Sequence, residues 1–137
     1  MRAFVDANLI IYLNTLREPE AKGKYRSFYE EMLNEHRCFT NAQVLDEALF
    51  ISKRKYGFDY ADTIKMIDEQ VLPFVEVLPI TIKEYRKMTE LLVEGGIKPS
   101  DSTHLSSMLL NDIRLLISED SGFDSFKNIQ RVWLKVE

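Results

Sequence analysis

Arg2-Ala3-Phe4-Val5-Asp6-Ala7-Asn8 opens the chain, and Leu9-Ile10-Ile11-Tyr12-Leu13 follows it without a break. A short apolar run stops at a carboxylate, and Leu9, Ile10, Tyr12, Leu13 and Leu16 then recur at the spacing of one helical face. The pattern predicts a buried strand over Arg2–Val5 that hands Asp6 to the start of a helix running from Asn8 to about Leu16.

The same alternation continues outward. Pro19 marks a break, after which Tyr25, Phe28, Tyr29, Met32 and Leu33 predict a second helix to about Glu35. Arg37–Thr40 reads as a short strand, Asn41 as the cap of a helix over Ala42–Lys55, and Tyr56-Gly57 as its end. Tyr60, Ile64, Ile67 and Val71 share one face of a further helix, which Pro73 ends. Phe74–Leu78 is the next strand. A helix on Tyr85, Met88, Leu91 and Leu92 then spans about Thr81–Glu94, and Gly95-Gly96 stops it. Ser100 is expected to cap a helix reaching about Leu110, Ile113–Ile117 to be a strand, Ser118–Asp124 a loop, and Arg131–Val136 a last strand. Strands alternating with helices mean an α/β class with a mostly parallel sheet covered on both faces. Ligands collect beyond the carboxyl ends of such strands, where Asp6 and Asp120 both fall.

At 137 residues the chain is expected to form a single domain over positions 1–137, and 45% hydrophobic with 29% charged residues is a globular composition. The single Cys38 excludes an internal disulfide and leans toward a reducing compartment. No secretory leader pattern and no long apolar stretch is present, so no membrane association and a cytoplasmic location are expected. The net charge of −4 argues against a general nucleic-acid coat. It leaves room for a nuclease, whose clustered acids lower the total and whose cations reverse the sign locally.

Four acids deserve weighing against their ordinary roles. Asp6 at a helix entrance serves as an N-cap, and Asp101 in a first turn complements the helix dipole. Glu47 is harder to explain away. At about 100° per residue it lies roughly 60° from Val44 and roughly 40° from Ile51, on the border of the apolar stripe. Its i±4 neighbours, Gln43 and Ile51, give it no helical ion pair. Asp120 draws its interest from its place just past a central strand. If these four converge, they repel one another unless a hard divalent cation offsets them, and Mg²⁺ on oxygen ligands suits phosphodiester cleavage. Asn8 and Ser118 are suited to orient ligands or water around such an ion. The run Lys53-Arg54-Lys55, at the end of the helix bearing Glu47, is placed to touch a phosphate backbone, although a solvated face is its ordinary reading. His36 and His104 lack zinc spacing; His104, three after Asp101, either contacts that residue or simply packs. No nucleophile elbow and no glycine-rich phosphate loop occurs.

Four motifs in order, Val5-Asp6-Ala7-Asn8, Asn41-Ala42-Gln43-Val44-Leu45-Asp46-Glu47-Ala48, Pro99-Ser100-Asp101-Ser102-Thr103-His104 and Ile117-Ser118-Glu119-Asp120-Ser121-Gly122-Phe123, resemble the PIN domain, especially the toxin nucleases of the VapC type. The resemblance covers essentially the whole chain. It implies a three-layer α/β/α fold with a mostly parallel five-stranded sheet in the order 3-2-1-4-5. It also implies metal-dependent endonucleolytic cleavage of RNA, with Mg²⁺ or Mn²⁺ held by Asp6, Glu47, Asp101 and Asp120, and it suggests homodimers silenced by a small antitoxin protein. The chain departs from the pattern in carrying serines after Asp101 where alanine is common, and in carrying Asp124 close enough to Asp120 to be an alternative fourth ligand. A PIN-like assembly module without cleavage activity is the competing reading. Haloacid-dehalogenase phosphatases are disfavoured because Asn8 stands where they need a second Asp, and receiver domains because no mid-chain phosphoacceptor Asp ends a strand.

Overall fold

A computed structural model describes residues 1–135. The elements in chain order are β1 (Arg2–Val5), α1 (Ala7–Thr15), α2 (Pro19–Glu35), β2 (Arg37–Asn41), α3 (Ala42–Tyr56), α4 (Tyr60–Gln70), β3 (Glu76–Leu78), α5 (Ile82–Glu94), α6 (Pro99–Leu110), β4 (Leu115–Ile117), a 3₁₀ turn (Ser121–Ser125) and β5 (Gln130–Val132). The five strands form one parallel sheet in the order β3-β2-β1-β4-β5. α1 packs with α2, α3 and α4, and α5 packs with α6, giving the three-layer α/β/α arrangement.

The central strand β1 is walled in on both faces. Ala3, Phe4 and Val5 are all buried, which is why the run reads as continuously apolar rather than alternating. Phe4 pairs with Phe39 on one side and Leu116 on the other, and Val5 pairs with Ile117. Because all neighbours run parallel, the residues just past β1, β2 and β4 emerge along one edge. The chain leaves β1 for β2 on one side and returns to β4 on the other, so that edge is the sheet's switch point. Asp6 stands there, with its backbone N–H donating to the Ile117 carbonyl at 3.0 Å.

α6 packs through small residues. Ser102, Ser106 and Ser107 are fully buried. The hydroxyls of Ser102 and Ser106 donate back to the Pro99 and Ser102 carbonyls at 2.8 and 2.6 Å, so no polar group is buried unpaired there. The serines after Asp101 are therefore compatible with close helix-to-sheet packing.

Several expected details are corrected. Of the expected α4 face, Ile67 and Val71 are buried, but Tyr60 and Ile64 are each 46% exposed, and Thr63 and Met66 are buried in their place. Tyr85 is likewise exposed, while Leu91 is buried and Glu84 is drawn inward by a capping box with Thr81. Ser100 is not a cap: Pro99 begins α6 and Lys98 holds the cap position with no side-chain bond. β3 begins at Glu76, leaving Phe74 exposed, and β5 ends at Val132; Val136, expected in the last strand, lies outside the described residues. Among the described residues no helix is long and apolar enough to cross a membrane.

Candidate metal centre

Four elements deliver the acids to one place. Asp6 leaves β1, Glu47 lies two turns into α3, Asp101 occupies the first turn of α6, and Asp120 follows β4. All four line a single pocket of about 430 Å³, together with Asn8, Glu119 and Lys98. Lys98 is the sole cation among the described residues lining it.

Asp6 is held most firmly. It is buried, its Oδ1 accepts from the Ala7 backbone N–H at 2.8 Å, and its Oδ2 accepts from the Ser118 hydroxyl at 2.7 Å. The Ser118 oxygen in turn accepts from the Asp120 backbone N–H at 3.1 Å, so one buried hydroxyl links two acids. Asp120 caps the 3₁₀ turn, its Oδ1 accepting from the Gly122 N–H at 2.8 Å. The expected open loop is thus a tight turn that orients a carboxylate. Arg131 fastens the turn from outside: it donates to the Ser118 carbonyl at 3.1 Å and to both Asp124 oxygens at 2.9 and 3.1 Å.

Against the expectation that Asp124 could stand in for Asp120, that clamp sets it apart from the acids that line the pocket. Its carboxylate is engaged by the Arg131 guanidinium, which holds it below the usual range, and it does not line the pocket. The run Lys53-Arg54-Lys55 does not line the pocket either. It sits in the last turn of α3, about 10 Å along the helix axis from Glu47, and each side chain lies over an aromatic ring, Tyr60, Phe50 and Tyr56 respectively.

His104 and Lys98 carry more of the site than their sequence context suggested. His104 is 1% exposed, and its Nε2 lies 3.9 Å from Asp6 Oδ1 rather than against Asp101. Asn41 decides its tautomer: the Asn41 oxygen accepts from the Val44 N–H, so its amide donates toward Ser107 and toward His104 Nδ1. The imidazole proton then resides on Nε2, facing Asp6. Burial holds the imidazole below its ordinary pKa, with Asp6 opposing, so the ring is a neutral buried neighbour of Asp6.

The acids feel one another. Burial raises the Glu47 pKa, and Asp6 and Asp101 raise it further, while Lys98 opposes. Burial likewise raises Asp101, Lys98 lowers it, and Asp120 and Asp6 push it up. Carboxylate oxygens crowded this way, with one lysine against five acids, suit a hard divalent cation. One oxygen each of Asp6 and Glu47 and one nitrogen of His104 lie within 4.8 Å of one another. Those three donors, with Asp101 and Asp120 lining the same pocket, fit a divalent cation.

Gly122 offers a direct probe of Asp120. A β-carbon at position 122 would lie 2.9 Å from Asp120 Oδ1. Gly122→Ala is expected to displace that carboxylate and weaken Mn²⁺ binding about tenfold, in the range for lost supporting groups, with little change in thermal stability. Isothermal titration with Mn²⁺ and a melting curve check both halves; unchanged affinity would remove Asp120 from the ligand set.

The PIN domain family model matches residues 3–129. A VapC ribonuclease of Mycobacterium bovis and ribonuclease VapC13 of Mycobacterium tuberculosis are each 28% identical over 130 residues, 93% of this chain and 97% of theirs. Among solved structures, VapC20 of Mycobacterium tuberculosis, described as a Sarcin-Ricin loop cleaving toxin, superposes with a TM-score of 0.72 at 19% identity, covering 91% of this chain and 95% of that one. VapBC2 of Rickettsia felis, bound to a DNA fragment from its promoter, gives 0.72 at 16% identity over 97% and 98%.

Proposed function

The chain belongs to the PIN domain family, and from that membership we propose that it is a metal-dependent endoribonuclease, the toxin of a toxin–antitoxin pair. The observation that carries the proposal is the convergence of Asp6, Glu47, Asp101 and Asp120 from four separate elements into one pocket. Ribonuclease names among the curated relatives and toxin–antitoxin complexes among the structural neighbours support the same reading. The proposal extends to a small antitoxin as partner and to a homodimer, both implied by the VapC resemblance.

Asp6, Glu47, Asp101 and Asp120 would hold Mg²⁺ or Mn²⁺, which when bound supplies positive charge to the phosphate and acidifies a water. The residues of the chain prepare that site. Ser118 and the Ala7 N–H hold Asp6 in one orientation, and the Gly122 N–H does the same for Asp120. Asn8 lines the pocket with an amide able to orient water. Lys98 brings a positive charge to a phosphate at the pocket's edge, and the Lys53-Arg54-Lys55 run on the same helix as Glu47 receives backbone beyond it.

The test is cleavage of a panel of transfer, ribosomal and messenger RNAs by the purified chain with Mg²⁺ or Mn²⁺. Discrete fragments that chelation abolishes are expected. Intact RNA throughout, alongside capture of a protein partner, would instead assign the chain to the assembly-module class.

A further inference from the structure

We propose that the cleft lying against the acidic pocket is a nucleobase subsite, filled by the base of the nucleotide next to the phosphate being cut. The occupant rests on the ribonuclease reading above. The cleft has a volume of about 320 Å³ and shares Lys98, Asp101 and Asp120 with the acidic pocket, so the two are one continuous depression.

Past the shared residues the chemistry of the wall changes. Ile97, Phe123 and Phe126 replace carboxylates with aliphatic and aromatic surface. Phe123 is buried and belongs to the core, so it forms a fixed floor. Ile97 and Phe126 are only half-buried, and both pack against the core while leaving part of their surface toward the cleft. Gly96, with φ at +81°, contributes no side chain, so the cleft stays open on that side.

A ligand spanning both halves needs an anionic group beside Lys98 and the acidic pocket, and a flat apolar body a few ångströms away. A nucleotide has that division: its phosphate matches the cation-binding half, and the π-face of its base matches Phe126 with Ile97 beside it. Base stacking on one aromatic ring tolerates every base. The subsite therefore serves to grip and align the nucleotide and not, by itself, to read its identity.

The experiment uses small probes, because the RNA target is not needed. Ribose 5-phosphate and the ribonucleoside 5′-monophosphates are titrated into the intact chain with Mg²⁺, followed by NMR. All probes are expected to perturb Lys98 and Asp101. Only the nucleotides are expected to perturb Ile97 and Phe126, binding at least ~5-fold tighter than ribose 5-phosphate, as stacking of one base implies. Phe126→Leu keeps the apolar volume and removes the aromatic face; it is expected to shrink that ratio to below ~2-fold without altering ribose 5-phosphate binding. Ile97→Ala, which leaves the aromatic floor in place, is expected to reduce the ratio less. Equal affinity of nucleotides and ribose 5-phosphate, or perturbations confined to the acidic residues, overturns the subsite even if RNA is cut. Conversely, tighter nucleotide binding through Phe126 in a chain that cuts no RNA upholds the subsite and rejects the nuclease.

Discussion

Asp6→Asn is expected to lower the RNA cleavage rate by about 10²–10³-fold or more, the scale seen when one preorganised electrostatic group is removed from an active site, while leaving the fold intact. The side chains are isosteric, so packing against the buried surroundings of Asp6 is preserved. Asparagine is as good an N-cap as aspartate, and its oxygen can go on accepting from the Ala7 N–H. On the other side the amide meets the Ser118 hydroxyl, which rotates to accept. What disappears is one negative charge at the place where β1, α3, α6 and the turn after β4 converge. Single-turnover cleavage and a thermal melt measured on the same preparation separate chemistry from folding. A cleavage rate equal to the parent's would show that the pocket is not where the bond is broken. Because the four acids line one pocket, their losses should not multiply. Asp6→Asn combined with Glu47→Gln should fall only slightly below the single variants.

Much of this geometry was legible because particular residues leave a local trace. The run Ala3-Phe4-Val5 before Asp6 reads as a fully buried strand ending in an acid, and it is one. Glu47 stood out because it borders an apolar stripe with no helical ion partner, and it lines the pocket as that placement implies. Ser118, offered as an orienting group, binds Asp6 directly.

Other features depend on partners far along the chain. Lys98 follows Gly95-Gly96-Ile97 in a stretch with no periodicity, and only the seating of α6 against the ends of β1 and β2 brings it to the acids. His104 is defined by Asn41, sixty-three positions away, and not by Asp101 one turn before it. Asp124 looked equivalent to Asp120 because sequence proximity is blind to Arg131, whose guanidinium returns from β5 to claim it. The α4 and α5 stripes are only partly right: Ile67, Val71 and Leu91 are buried, whereas Tyr60, Ile64 and Tyr85 stay exposed, because helical spacing identifies a stripe but not how much of it the neighbouring elements cover.

The strongest physical consequence of the acid cluster concerns stability. Burial, and then mutual repulsion, raises the pKa values of Glu47 and Asp101 in the folded chain. The metal-free native state therefore binds protons more tightly than the unfolded state does. Linkage then requires that the contribution of these two groups to stability be fully present below the ordinary carboxylate range and be lost as pH rises through their raised values. At neutral pH the ionised cluster is a destabilising feature, tempered by partial solvent exposure. Asp101→Asn and Glu47→Gln should each raise the metal-free melting temperature by about 1–3 °C, corresponding to roughly 0.5–1 kcal/mol after allowance for screening. A saturating divalent cation reverses the balance. At a concentration about 100-fold over its dissociation constant it should stabilise the parent chain by about 2.7 kcal/mol, or roughly 6–10 °C. That gain should shrink as pH falls, since protons compete for the same oxygens. Melting curves across pH, with EDTA or with Mn²⁺, measure both slopes. Substitutions that lower the metal-free melting temperature, together with no response to Mn²⁺, would mean the carboxylates are structural groups satisfied by the fold itself. The opposite pair of results, neutral variants more stable without metal and less responsive with it, is the signature of a pocket whose charges the protein tolerates in order to hold a cation.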